Sequence, residues 1–368
     1  MDSNNNYQTY ILVDIIPPSV SREQAEINLV EMLALIKTYG SGKVAKVIQR
    51  REFPHPATYM GSGKAEEVAG MITQYKVDVI IINAIVKSTQ LFNLKKLYWD
   101  ANPNIEVWDR IDLILHIFSR HAKTSESKLQ IELAGMRHMG PRMYGLSEEL
   151  GRQAGGIGGR GVGETNVELM KRHWRDQIKE KREKLEKLSK TRKNQMERRR
   201  KIGFQTVSIV GYTNAGKTTL FNILAGKKKY AKDELFATLE STVGHMYVVS
   251  ANKQLIVSDT IGFIKELPLS LIEAFKSTLT ESIYADLLLH IVDVADPQMP
   301  EKIQTVNNIL LELGTSDKPT ITVFNKADLL SEVEQKKLIA GITEDEIVVS
   351  ATAEVGIESL KDKIVKMI

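Results

Sequence analysis

The sequence predicts an α/β protein in three parts, and three observations carry that reading. Apolar runs of strand character alternate with stretches of helical periodicity before residue 120 and again after residue 202, the pattern of parallel sheets covered by helices. Between them the chain turns basic and glycine-rich: residues 121–201 hold 21 Lys+Arg against 11 Asp+Glu, a net of +10 in a chain whose total is +4. Third, Gly211-Tyr212-Thr213-Asn214-Ala215-Gly216-Lys217-Thr218 has the G-x-x-x-x-G-K-[S/T] spacing of a phosphate-binding loop. The expected architecture is a small N-terminal α/β domain with a parallel sheet (1–120), a helical-hairpin linker (121–201) with a glycine-rich tip (145–163), and a doubly wound P-loop domain (202–368).

Composition narrows the function before any motif does. The chain has no cysteine, which excludes disulfides and thiol catalysis and agrees with a reducing compartment. Its seven histidines show no metal-ligand spacing. The N-terminal MDSNNNYQ lacks a basic-then-apolar leader, and apolar runs such as 285–295 are too short to span a bilayer. A cytoplasmic protein is expected.

Taken in order, residues 7–16 read as a strand. Ser21 with Gln24 opens a helix in a capping-box pattern, with Ile27, Val30, Leu33 and Ile36 at helical spacing, and Gly40 ends it. Strand, helix and strand follow at 44–50, 64–74 and 77–83. Ser88 is expected to cap the next helix, 105–108 forms a strand, and 109–121 an apolar helix. Gly61-Ser-Gly-Lys64 is not a second phosphate loop: Thr58 stands where the first glycine belongs, Ala65 where Ser or Thr belongs, and Pro54 and Pro56 interrupt the strand that should precede it.

Leu129, Leu133 and Met136 mark a helix over 128–139, and a charged helix runs over 166–201, so the two form an antiparallel hairpin. In its tip, Gly156-x-Gly158-x-x-Gly161 matches a dinucleotide fingerprint, but no strand precedes it, so that reading fails. Glycines with Arg142, Arg152 and Arg160 suit close approach to RNA phosphates; the alternative is a solvated tip. Residues 171–201 carry fifteen basic against five acidic side chains, which favours a polyanion; DNA is not among the expected partners. A membrane surface fits less well, because Trp174, Ile178, Leu185 and Leu188 form only a thin apolar stripe.

The P-loop falls between an apolar strand at 204–210 and a helix opening at Lys217. Its glycines let successive N–H groups converge on phosphate oxygens. Lys217 is the expected ligand of the β- and γ-phosphates, and Thr218 offers its hydroxyl to Mg²⁺. Strands at 254–259, 285–294, 320–324 and 347–349 alternate with helices near 270–283, 301–313, 331–340 and 357–367. Asp259-Thr260-Ile261-Gly262 ends the first of these strands, its acid placed for Mg²⁺ through water and its glycine N–H for the γ-phosphate. Asn325-Lys326-Ala327-Asp328 ends another and offers a carboxylate to N1–H and N2–H₂ of guanine, a donor pair adenine lacks. Ser350-Ala351-Thr352 supports the base from its far side. Together these motifs define a GTP-binding domain, with GTP as substrate.

At this point the sequence resembles the HflX family of ribosome-associated GTPases. The similarity runs through Ala57-Thr-Tyr-Met-Gly-Ser-Gly-Lys64, Asp109-Arg110, Gln130-Ile-Glu-Leu-Ala134, the glycine-rich loop to Gly163-Glu-Thr165, Phe236-Ala237-Thr238-Leu239-Glu240 and Asp259-Thr-Ile-Gly-Phe263. The resemblance implies that 236–240 is switch I, with Thr238 its Mg²⁺ ligand and Thr242 a second candidate. Lys217, Thr238 and Gly262 are then the expected catalytic groups. It also implies binding to the large ribosomal subunit, with the hairpin directed toward ribosomal RNA, and a role in splitting or rescuing stalled ribosomes; a monomer is expected, although the sequence itself does not fix the oligomeric state. A different reading makes the chain an RNA-binding assembly or stress factor in which hydrolysis only times release. Many members continue with a small further domain, whereas this sequence runs one helix past Ser350. Phe263 stands where Ras-like enzymes carry the glutamine that orients water, so slow intrinsic turnover, raised by the ribosome, is expected. Asn214 resembles the asparagine of potassium-activated GTPases, and is equally a residue suited to a left-handed turn.

Overall fold

The computed structural model describes residues 8–153, 162–227, 235–236, 242–265, 271 and 279–368. The chain divides into two compact units, residues 1–120 with 131–183 and residues 121–130 with 184–368. The division falls inside two long helices, so each unit holds part of both.

The first unit is built on β1 (Gln8–Ile16), α1 (Arg22–Tyr39), β2 (Gly42–Arg50), α2 (Ser62–Tyr75), β3 (Val79–Ile82), α3 (Ser88–Tyr98), β4 (Glu106–Trp108) and α4 (Arg110–His121). Its sheet has the order β2-β1-β3-β4 with every pair parallel, as the alternation predicts. Residues 10–13 are buried without alternation, because helices cover both faces of a parallel sheet. Ser21 caps α1 as expected, its hydroxyl accepting the Gln24 N–H at 3.1 Å. Ser88, by contrast, is already helical: the cap position is Lys87, whose N–H donates to Gln90 Oε1 at 2.9 Å. Lys64 lies within α2 and pairs with Glu67 Oε2 at 2.6 Å.

Helices α5 (Ser125–Gln153) and α6 (Val162–Lys201) form the hairpin. In the first unit Trp174 Nε1 donates to the Met136 carbonyl at 3.0 Å and Lys181 pairs with Glu132 at 2.5 Å. In the second, Arg192 lies 3.3 Å from Glu126. The falling numbers on one helix against rising numbers on the other fix the antiparallel sense.

Helix α5 runs well past the end expected at Met139, through Pro141. A proline inside a helix removes a backbone hydrogen bond and crowds the carbonyl four residues earlier, but Pro141 is exposed and the next residue is strongly anchored. Arg142 Nη1 donates to both Asp112 oxygens at 3.0 and 2.7 Å, and Nη2 to Asp109. This corrects the expectation that Arg142 decorates a glycine loop toward RNA: it is helical, largely buried and engaged by two carboxylates. His138 joins the same cluster, 3.2 Å from Asp109 and 3.3 Å from Asp112. Burial works against its charge, but hydrogen bonds to Asp109 and Asp112 prevail and raise its pKa. Burial also opposes ionisation of Asp112, yet His138 and Arg142 hold its carboxyl well below the usual carboxylate range.

The second unit carries β5 (Thr206–Gly211), α7 (Lys217–Leu224), β6 (Thr242–Val248), β7 (Lys253–Asp259), α8 (Thr280–Tyr284), β8 (Leu287–Asp293), α9 (Met299–Glu312), β9 (Thr320–Asn325), α10 (Glu332–Gly341), β10 (Glu346–Val348) and α11 (Ile357–Met367). The six strands lie in the order β10-β9-β8-β5-β7-β6, parallel except for β6 against β7. Apolar clusters on the two faces make this the expected doubly wound domain. Ile209, Val257, Leu289 and Val323 pack with Phe221, Leu360 and Ile364 on one side. Val210 and Leu288 pack with Phe263, Val306 and Ile309 on the other. Among the described residues no helix is long and apolar enough to cross a membrane.

Candidate functional site

The motifs expected to bind nucleotide meet at the carboxyl ends of β5, β7 and β9, where an open α/β sheet binds its ligands. Their glycines are there for steric reasons. A Cβ on Gly211, at φ +146°, would lie 2.4 Å from the Ile291 carbonyl oxygen, and one on Gly216, at φ +89°, would lie 2.2 Å from Asn325 Nδ2. Asn214 also has positive φ, +62°, the turn geometry that asparagine tolerates.

Lys217 is almost wholly buried at the start of α7 and its ammonium donates to the Tyr212 carbonyl at 2.6 Å. Burial pushes its pKa down to about 8, opposed by the charge of Asp259. A polyphosphate beside the ammonium restores the higher value, so binding takes up a proton above pH 8. Affinity for GDP will therefore be nearly level from neutral pH to about 8 and fall about tenfold by about pH 9. Titration calorimetry across that range checks this, and a level profile would contradict it.

Thr218 Oγ1 donates to Asp259 Oδ2 at 3.0 Å, so the two oxygens expected to serve Mg²⁺ face one another across the loop. That donor set, a hydroxyl and a carboxylate, suits a hard cation that keeps most of its waters. Thr260 is buried, its hydroxyl donating to the Ile209 carbonyl at 2.6 Å. Ile261 and Gly262 follow, also buried, and a Cβ on Gly262 would fall 2.8 Å from Lys217 Nζ. The strand pairing then continues into the P-loop. Phe263 N–H donates to the Gly211 carbonyl at 3.1 Å, and Thr213 N–H donates to the Phe263 carbonyl at 2.8 Å. The Phe263 side chain is sealed in the apolar cluster with Val306 and Ile309.

On the base side Asn325 is a strut. Its Nδ2 donates to the Ala215 carbonyl at 2.9 Å and its Oδ1 accepts the Ala351 N–H at 3.0 Å, tying the P-loop to the Ser350–Thr352 turn. Lys326 takes φ +65° and pairs with Asp293 at 2.7 Å. Ala327 begins a short 3₁₀ turn that carries Asp328, and the Ser350 hydroxyl donates to Asp328 Oδ1 at 2.5 Å.

Of the expected switch I, Phe236 is buried with φ +57°; Ala237, Thr238, Leu239 and Glu240 lie outside the described residues, as does Arg160. Arg152 falls within α5, described by its backbone. Sequence reasoning missed the side chain of Tyr212, which packs behind the loop, and His290, a lone polar residue in the buried run of β8. Burial pushes His290 down to about 4, with Lys217 acting in the same direction. Its position inside an apolar strand next to the loop was the available signal.

A phosphate-loop motif, a carboxylate bonded to its threonine and an aspartate beside the Ser350–Thr352 turn, all on one doubly wound sheet, belong to a GTPase domain of the P-loop class. The chain belongs to the HflX family of GTPases. Residues 26–119 match the family described as GTP-binding GTPase N-terminal, 121–199 the GTP-binding GTPase Middle Region, and 206–326 the 50S ribosome-binding GTPase. GTPase HflX of Caldanaerobacter subterraneus subsp. tengcongensis is 41% identical over 350 residues, covering 95% of this chain and 79% of that one. GTPase HflX of Escherichia coli strain K12 is 40% identical over 309 residues, covering 84% and 71%. The solved complex of SsGBP with GDP aligns over 98% of both chains at 25% identity and a TM-score of 0.53. A GTP-binding protein from the archaeon Sulfolobus solfataricus, in complex with GDP, shares the fold over 98% of both chains, at 24% identity and a TM-score of 0.50.

Proposed function

We propose that this GTPase binds the large ribosomal subunit and couples Mg²⁺-dependent GTP hydrolysis to the splitting or rescue of stalled ribosomes. The observation that carries the reading is the charge of α6. Fifteen basic against five acidic residues lie between Lys171 and Lys201, and Arg172, Arg175, Lys179, Lys187 and Lys190 are exposed along it, a surface suited to ribosomal RNA. The match of 206–326 to a family described as 50S ribosome-binding GTPase supports the same partner. Arg152 and Arg160 remain the proposed contacts at the hairpin tip.

In this mechanism Gly211–Thr218 surrounds the phosphates and Lys217 neutralises the β- and γ-oxygens. Thr218 and Thr238 would hold Mg²⁺ directly and Asp259 through water; bound there, the ion offsets charge gathering on the phosphates. Gly262 presents its N–H to the γ-phosphate, while Asp328 reads guanine and Ser350-Ala351-Thr352 flanks it. Asn214 would add a potassium ligand beside the phosphates. With Phe263 buried, no side chain of its position orients water. Such a group is worth about 10³–10⁵ in rate, so the docked ribosome is the proposed source of it.

The test is GTP turnover with and without purified large subunits over a salt series, in KCl and in NaCl at matched ionic strength. Stimulation that fades with rising salt is the expected result. No stimulation at any salt, with GTP binding intact, would favour an assembly or stress factor timed by hydrolysis; equal rates in the two salts would remove the potassium role.

A further inference from the structure

We infer that Tyr212 is a positioning residue that latches the γ-phosphate-sensing loop to the P-loop, and so sets the preference for GTP over GDP. The inference rests on the GTPase reading of this site and concerns a side chain for which that reading has no use. A phosphate loop acts through backbone N–H groups, and its second position needs no particular side chain. Here it carries a tyrosine that is 6% exposed.

Each part of Tyr212 is engaged. The carbonyl accepts from Lys217 Nζ at 2.6 Å, the phenol oxygen accepts the Lys265 N–H at 2.6 Å, and the ring stands 4.8 Å from Lys302 Nζ. Lys302 is itself paired with Asp296. The ring belongs to the same apolar cluster as Phe263, Leu279, Val306 and Ile309, which fixes its rotamer and aims the hydroxyl.

The phenol closes a three-point zipper. Gly211 accepts from Phe263 N–H, Thr213 donates to the Phe263 carbonyl, and Tyr212 accepts from Lys265 two residues later. The first two bonds are extensions of β-pairing; the third depends on a side chain alone. Gly262, whose N–H is proposed to meet the γ-phosphate, lies immediately before the zippered residues. Pinning 263–265 to the P-loop therefore orders the sensing loop before the γ-phosphate arrives, and ordering that is already in place need not be supplied by the ligand. GDP lacks the phosphate that Gly262 is proposed to meet, so it gains nothing from the latch.

The Tyr212→Phe variant removes the hydroxyl and keeps the ring. Dissociation constants for GDP and for a non-hydrolysable GTP analogue, both with Mg²⁺, are measured on the full chain, together with hydrogen exchange at the Lys265 amide. We expect affinity for the analogue to fall about three- to tenfold further than affinity for GDP, the range for losing one hydrogen bond, with faster exchange at Lys265. An equal fall for both nucleotides would mean that the hydroxyl merely props the P-loop, and an unchanged ratio would mean that the latch has no bearing on nucleotide choice; either overturns the inference. Failure of the unmodified chain to bind either nucleotide would instead overturn the GTPase reading, and the latch with it.

Discussion

Replacing Asp328 by asparagine will lower kcat/KM for GTP by about three orders of magnitude and raise it for xanthosine triphosphate. Guanine offers two donors, N1–H and N2–H₂, to an ionised carboxylate, which only accepts. Asp328, the proposed reader of the base, is held at one edge by the Ser350 hydroxyl, and its 3₁₀ turn is tied through Asn325 to both the P-loop and the Ser350–Thr352 turn. An amide of the same shape sets N–H₂ against a guanine donor, so a desolvated donor loses its partner. Xanthine carries a carbonyl where guanine carries the amine, and the same amide then has an acceptor to meet. Because Asn325 rather than Asp328 makes the bonds that hold the pocket together, the variant should fold. The check is steady-state kinetics with both nucleotides. Retention of GTP specificity within about tenfold would show that Asp328 does not read the base.

The nucleotide motifs were legible because their constraints are local. Gly211 and Gly216 mark places where a Cβ would strike Ile291 or Asn325, and such steric demands leave a fixed spacing in the sequence. The parallel sheets were legible through buried apolar runs such as 79–82. β6 escaped notice although it alternates: Gly244, Met246 and Val248 are buried and His245 and Tyr247 exposed, the period of an edge strand covered on one face. Least visible were contacts between distant residues. Gly140-Pro141 argues locally for the end of a helix, and local rules could not foresee that Asp109 and Asp112, some thirty residues earlier, would anchor Arg142 and carry the helix onward. Tyr212 was hidden in a similar way, because a motif that specifies backbone N–H groups says nothing of what its variable side chains touch.

Replacing Gly262 by alanine will lower GTP turnover by about 10²–10³ while leaving GDP affinity within about threefold. The added Cβ would lie 2.7 Å from Thr213 Cγ2, 2.8 Å from Thr213 Cα and 2.8 Å from Lys217 Nζ. The lysine end and the threonine methyl group can move. The Thr213 backbone is fixed from two sides, as part of the P-loop and through the bond from its N–H to Phe263. The residue that shifts is therefore 262 itself, which carries its N–H away from the proposed position of the γ-phosphate, and a preorganised donor is worth most where charge develops in the reaction. GDP lacks the γ-phosphate, and a shift of 262 leaves its proposed contacts with the P-loop amides and Asp328 in place. The separation between the two effects is the informative readout. Parallel losses of GDP affinity and turnover would mean that the methyl group deforms the P-loop as a whole, and an undiminished rate would show that the Gly262 N–H plays no part in hydrolysis.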